Sequence, residues 1–207
     1  IERAKRREPP ELPCRPGIDY RAFVDPAGGS MDEFTVAIGH VEGGETRRPG
    51  RTSRGDPKPQ RHDGPSRIIV DVVRGQRGTP ADIVAEYSEL LKHYGIKRVE
   101  GDRYAGHWVS DEFARNGIDY HFAQRSASDL YVDALPSFNS GHVEIPPDDK
   151  LITQLATLER RTSRSGKDSI THRPGAHDDR ANAVAGLVQR CAKPRSTVGV
   201  GRVRGLM

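Results

Sequence analysis

Residues 20–40 read YRAFVDPAGGSMDEFTVAIGH. The aromatic and β-branched content of 20–25 marks a strand that the Pro-Ala-Gly-Gly turn ends, and 34–40 marks the next strand. Their short separation implies an antiparallel hairpin. Working outward, RIIVDVVR at 67–74 is expected to be a third strand. Between it and the second, residues 43–66 are Gly, Pro, Arg and Ser with no apolar period, and are expected to form a mobile basic loop.

C-terminal to this meander the pattern changes to alternation. Thr79 and Pro80 open a helix as N-cap and first helical residue, with Asp82 in its first turn. Ile83, Val84, Tyr87, Leu90 and Leu91 then recur at helical spacing, and Gly95 closes it. A fourth strand is expected over 96–102, a short helix over 107–116 and a fifth strand over 119–124. Ser126 begins a further helix with Asp129 at the capping-box position. A short strand HVEIP, a helix over 148–160, a turn at RSGKDS and a last helix from near His177 to about Arg190 complete the order. This is an α/β chain: a mixed sheet, made of an antiparallel three-strand meander plus parallel strands and flanked by helices. A fourth strand reached through a helical crossover can lie parallel to the first. The C-terminal ends of strands one and four, which carry Asp25 and Asp102, then lie side by side.

Composition sets the outer limits. The 207 residues fit one domain with a tail, and the hydrophobic fraction of 34% beside 30% charged residues describes a normal core diluted by polar loops. A net charge of +4 and a pI near 9.2 favour a polyanionic partner. Cys14 and Cys191 are too few and too far apart for a disulfide framework or a zinc site. No apolar run approaches a membrane span and no secretory signal is present, so a soluble, intracellular protein with no membrane partner is expected.

The acidic residues carry the chemistry. Carboxylates side by side destabilise one another's ionised form, and a protein keeps them together mainly when a cation sits between them. Asp178 and Asp179 open the last helix, where free N–H groups favour negative charge. If that helix end packs beside strands one and four, the carboxylates of Asp25, Asp102, Asp178 and Asp179 converge. They are hard oxygen donors suited to Mg²⁺ or Mn²⁺, and two such ions would support phosphodiester hydrolysis. Each acid also has a plainer role: Asp25 and Asp102 as turn formers, Asp178 as a helix cap, Asp179 as a first-turn acid. Their joint placement at one edge favours the metal site. Asp71, inside the third strand, is expected to play a supporting part.

VDPAGGSMDEFTVAIGH (24–40), VEGDRYAGHWV (99–109) and HRPGAHDDRANAVAG (172–186), in that order and context, resemble the C-terminal nuclease domain of the large terminase subunit of tailed bacteriophages and prophages. The resemblance runs from about residue 19 to 188. It implies a ribonuclease H-like fold and a two-metal endonuclease cutting concatemeric viral DNA during genome packaging in the host cytoplasm. Asp25 matches the first-strand aspartate, Asp102 the fourth-strand acid, and the Asp178–Asp179 pair the third acidic motif. Related sequences often carry a further acid where this chain has Asn182, which is then either outside the ligand set or a neutral ligand. The resemblance also implies double-stranded DNA as substrate, and an N-terminal ATPase domain, a portal and a small terminase subunit as partners. No GxxxxGK[ST] phosphate loop exists here, and SGKDS at 165–169 is a turn. Residues 1–18 are therefore expected to be a linker from a missing ATPase, 19–192 the nuclease domain and 193–207 a flexible basic tail.

Arg47, Arg48, Arg51, Arg54 and Lys58 in the basic loop, with Arg103 and Arg180 beside proposed ligands, are candidate DNA contacts. A solvated loop, and pairing of Arg103 and Arg180 with neighbouring carboxylates, explain them equally well. His177 is expected to be a structural residue beside a helix cap, with contact to the scissile phosphate or orientation of a ligand as the alternative, and Trp108 is expected to pack in the core. Two other functions fit the same residues: a Holliday-junction resolvase or integrase-like nuclease of the same fold, and a non-catalytic basic nucleic-acid-binding module.

Overall fold

The strands β1 (Arg21–Asp25), β2 (Phe34–Glu42) and β3 (Arg67–Gln76) form the antiparallel meander, with Asp25 opposite Thr35 and Thr35 opposite Gly75. This computed structural model describes residues 1–26, 32–43, 66–103, 106–163, 166 and 168–192. After α1 (Pro80–His93), β4 (Arg98–Gly101) returns parallel to β1. After α2 (His107–Arg115), β5 (Asp119–Phe122) lies parallel to β4. α3 (Ala127–Asn139) leads to the short β6 (Val143–Glu144), parallel to β3. The mixed sheet therefore has six strands in the order β5-β4-β1-β2-β3-β6. α4 (Asp149–Ala156), the hairpin β7 (Glu159–Thr162) and β8 (Asp168–Thr171), and α5 (Asp179–Ala192) complete the described elements.

Strand alternation divides the core in two. Ala22, Val24, Val36, Ile38 and Val72 face α1 and α2, which bury Ile83, Val84, Tyr87, Leu91, Val109 and Phe113 against them. Phe23, Ala37, Val70 and Val73 face the other way, onto α3 and α5. Among the described residues no helix is long and apolar enough to cross a membrane. Residues 1–18 lie against the sheet edge: Ala4 C=O accepts from Ile145 N–H at 2.8 Å, Arg6 N–H donates to Ile145 C=O at 3.0 Å, and the Arg6 guanidinium reaches the Val70 carbonyl at 2.6 Å.

Two expected elements differ. The fourth strand starts at Arg98, because Ile96 N–H donates back to Leu91 C=O at 2.8 Å and Gly95 N–H to Lys92 C=O at 2.9 Å, so the helix cap claims the residues before it. The helix expected over 148–160 stops at Ala156, with Thr157 as its C-cap. Residues 159–162 instead pair with β8, where Arg160 meets Asp168. Glu-Arg-Arg-Thr has no apolar residue to hold a helix face, and a cross-strand charge pair is available to it.

α5 crosses β1 antiparallel and at close range. Its Asn182 side chain hydrogen-bonds Asp25, Gly186 lies under Phe23, and the Arg190 carbonyl accepts from Arg21. Four helical residues advance about 6 Å and two strand residues about 6.6 Å, so the two series stay in step. The approach requires glycine: a methyl carbon at Gly186 would lie 2.6 Å from Phe23 Cδ1, and one at Gly39 would lie 2.9 Å from Leu187 Cδ2. Alanine at 186 would gain about 1 kcal/mol of helix propensity against an overpacking cost of about 2–3 kcal/mol beneath a fully buried ring. Gly186→Ala is therefore expected to lower Tm by several degrees in a thermal melt; an unchanged or higher Tm would contradict this packing.

Candidate metal centre

Asp25 is the last residue of β1, on the face that meets α5. Asp102 follows the last residue of β4, its N–H donating to Val24 C=O at 3.2 Å. Its carbonyl accepts from the Tyr120 hydroxyl at 2.8 Å. Gly101 makes this possible, since a β-carbon there would sit 2.5 Å from Val24 O and 2.9 Å from Tyr120 Cε2. Asp178 precedes α5 and its carbonyl accepts the N–H of Asn182 at 2.7 Å; Asp179 is the first helical residue.

The structure brings these acids together. Desolvation pushes the Asp25 carboxyl well above the usual carboxylate range; a hydrogen bond from Asn182 opposes this, while the charges of Asp102, Asp179 and Asp178 push it further up. Burial raises Asp179 too, against a hydrogen bond from Glu33 N–H at 3.1 Å, and Asp32 and Asp178 add to the rise. Asp178 accepts at 2.8 Å from the hydroxyl of Tyr131, which burial keeps protonated.

Asp32 is a member of the cluster that the strand pattern did not single out. His177 Nδ1 donates to Asp32 Oδ1 at 2.9 Å. Asp32, His177 and Asp179 present ligand atoms all within 4.8 Å of one another, the one such group of three among the described residues. Asp32 sits between the glycine turn and β2, where an acid looks like an ordinary turn residue. The available signal was its place, two residues before a strand whose second residue lies opposite Asp25. His177 stands just before α5 and turns its ring to this acid.

A set of ion pairs behind the cluster holds the start of α5. Gln154 of α4, 5% exposed, accepts at Oε1 from Arg180 N–H at 2.9 Å and Ala181 N–H at 3.1 Å, capping the helix from outside. The Arg180 guanidinium bonds Glu33 at 3.0 Å and also Asp148, and Lys150 pairs with Glu33 at 2.7 Å. Although desolvation favours its protonated form, Glu33 is held below the usual carboxylate range by Lys150 and Arg180. Arg180 is thus engaged by carboxylates, and Arg103 donates to the Ala123 carbonyl at 3.1 Å. Arg47, Arg48, Arg51, Arg54 and Lys58 lie outside the described residues, as does the 193–207 tail.

Two further expectations resolve elsewhere. Asp71 is fully buried lower on β3, where His40 Nδ1 donates to it at 2.6 Å. Trp108 is not a core residue: 41% of its surface is exposed. It starts α2 with only one edge against Phe34, because Val109 and Phe113 take the inward positions of that helix.

The donor set fits a hard divalent cation. Clustered carboxylates with raised proton affinity need a compensating positive charge. Asn182 Oδ1 is buried with no partner among the described residues, a neutral oxygen available beside Asp25.

No protein-family model matches the chain, and no curated protein sequence matches it. Solved structures do. The large terminase nuclease from thermophilic phage G20c with bound magnesium superposes with a TM-score of 0.64 at 19% identity, over 85% of this chain and 83% of that one. The large terminase nuclease domain of Thermus phage P74-26 gives 0.60 at 17%, over 86% and 81%. The HK97 bacteriophage large terminase gives 0.59 at 12%, over 87% of this chain and 41% of that one. The chain has the ribonuclease H-like fold of large terminase nuclease domains.

Asp25 binds a proton more tightly folded than unfolded, so its protonated form favours the fold below the unfolded pKa, and that contribution is lost as pH rises through the folded one, leaving the metal-free cluster opposed to folding. Asp25→Asn is therefore expected to raise the Tm of the metal-free chain at neutral pH, by about 2–4 °C for each kcal/mol of repulsion removed. It should also remove the stabilisation that Mn²⁺ gives the unaltered chain. A lower metal-free Tm would contradict the repulsion.

Proposed function

We propose that this chain is a divalent-cation-dependent DNA endonuclease. What supports the reading is that the charges of Asp102, Asp179 and Asp178 all act on the buried Asp25 carboxyl and, with desolvation, drive it towards its protonated form. Asp25 and Asp102 would hold one or both of two Mg²⁺ or Mn²⁺ ions. Asp179, with Asp32 and His177 beside it, would complete the shell, and Asn182 Oδ1 would add a neutral oxygen. Two cations bound there would activate the attacking water and stabilise the 3′-oxygen leaving group of a phosphodiester.

The chain's own groups do the rest. Tyr131 fixes one oxygen of Asp178. Glu33 N–H fixes one oxygen of Asp179. Gln154 and Arg180 hold the helix start, and so the direction in which both acids point. Rigid placement matters because an error of about 1 Å at a reacting atom costs on the order of 10²-fold in rate.

The fold shared with phage terminase nucleases supports a narrower assignment: cutting concatemeric viral DNA during genome packaging in the host cytoplasm. An N-terminal ATPase domain, a portal and a small terminase subunit would be the partners. Arg47, Arg48, Arg51, Arg54 and Lys58 would grip the duplex backbone. Base specificity is expected to be low, since nothing in the sequence resembles a base-reading helix.

The test is nicking of supercoiled plasmid with and without Mn²⁺, beside Asp25→Asn and Asp102→Asn. Relaxation that needs Mn²⁺ and is lost in both variants, with the fold retained by circular dichroism, is expected. Unimpaired cleavage by Asp25→Asn would refute its assignment. Preferential cutting of four-way junctions would indicate a resolvase. Absence of any Mn²⁺- or Mg²⁺-dependent stabilisation would indicate a binding module.

A further inference from the structure

Among the described residues two large apolar side chains are exposed, Ile1 and Trp108. Ile1 is the first residue of the chain. Trp108 stands in the first turn of α2, and an indole carries on the order of 200 Å² that favours burial. One ring contact orients it. Its ring meets Phe34 edge to face, with centroids 6.5 Å apart and planes at 65°, and Phe34 is 1% exposed. Such a ring is presented outward in one orientation without the entropy cost of a mobile side chain.

Its location matters more than its exposure. Phe34 begins β2, and the next residue, Thr35, lies opposite Asp25. Asp102 ends the strand segment that leads, five residues later, into α2. The indole and the carboxylates therefore share one edge of the sheet, the indole on the α1–α2 side and Asp25 on the α5 side. A strand held at the carboxylates and led round this edge towards α2 would meet Trp108. The first turn of α2 contains no acidic residue; Asp111 and Glu112 follow one turn on, Glu112 paired with Arg115 at 2.7 Å. His107, beside it, turns its ring to Phe122 at 5.5 Å.

The chemistry of the indole selects the ligand. Phosphate gains nothing from an apolar ring, and in an intact duplex each base face is already covered by its neighbours. What fits is the face of an unstacked base, which binds an aromatic platform whatever its sequence. We propose that Trp108 is a stacking platform for an unpaired base of the DNA strand drawn across the carboxylate edge. The identity of the ligand rests on the nuclease reading above. The consequence is a preference for DNA that is melted, gapped or single-stranded beside the cleavage position.

The chain contains one tryptophan, so its emission reports this position alone. The whole chain is titrated with a short oligothymidylate and with a blunt duplex of equal length, in Ca²⁺ under conditions where plasmid stays intact. Binding is followed in parallel by anisotropy of a labelled oligonucleotide. Saturable quenching, stronger for the single strand, is expected. Trp108→Ala is expected to weaken single-strand binding by roughly 5- to 150-fold, the range for loss of one base–aromatic stack. Trp108→Phe should keep most of the affinity. In Mn²⁺, Trp108→Ala should lose the preference for gapped over intact duplex.

Binding seen by anisotropy without a change in emission, or binding unaffected by Trp108→Ala, overturns the platform. If nicking persists in that case, the nuclease reading stands without it. If instead the chain neither nicks DNA nor responds to Mn²⁺, yet oligothymidylate still quenches Trp108, the base site stands and the nuclease reading fails.

Discussion

The antiparallel seating of α5 on β1 is the constraint from which the rest follows. Gly186 lets the helix lie directly under the Phe23 ring, where any β-carbon would collide. Once that contact is made, the steps of helix and strand bring Asn182 to Asp25 and the Arg190 carbonyl to Arg21. The start of α5, with Asp178 and Asp179, then lies beside the end of β1 and the residues that lead into β2. A bulkier residue at 186 would lift the helix and separate Asp178 and Asp179 from Asp25, which precedes them by more than half the chain. Packing in the core thus sets the chemistry at the edge.

That chemistry is unfavourable to the fold on its own. Asp25 and Asp179 are both pushed up by burial, and each is pushed further by neighbouring carboxylates. The surrounding structure holds the arrangement in place. Gln154 caps the helix, Arg180 ties it to Glu33 and Asp148, and Lys150 adds charge from α4. These groups compensate the acids nearby, while Asp25 takes a hydrogen bond from Asn182 and feels the charges of Asp102, Asp179 and Asp178. Functional clusters commonly store electrostatic strain in this way, and the remainder of the fold offsets it.

Much of this was legible in the residues. The meander, the return of β4 beside β1 and the helix opened by Asp178–Asp179 all follow from period, turn chemistry and capping, and through them the charges of Asp102, Asp178 and Asp179 come to act on Asp25. Other features depend on contacts that local sequence does not encode. Glu159–Thr162 is a strand only because β8 pairs with it. Gln154 reads as a polar helix residue until the start of α5 supplies two N–H donors. Asp32 looks like a turn acid until His177 and Asp179 arrive from the far end of the chain. Trp108 looks like core because tryptophan commonly is, and only the neighbours that occupy the inward face of α2 leave it outside.

The central claim is that these acids share divalent cations. Anomalous diffraction at the manganese edge, from crystals of the whole chain grown with Mn²⁺, addresses it without reference to activity. The account requires manganese peaks bounded by Asp25, Asp102 and the Asp178–Asp179 corner, and their disappearance in Asp25→Asn crystals. Bound manganese confined to other surfaces, with the aspartate corner free of anomalous signal at saturating concentration, would contradict it.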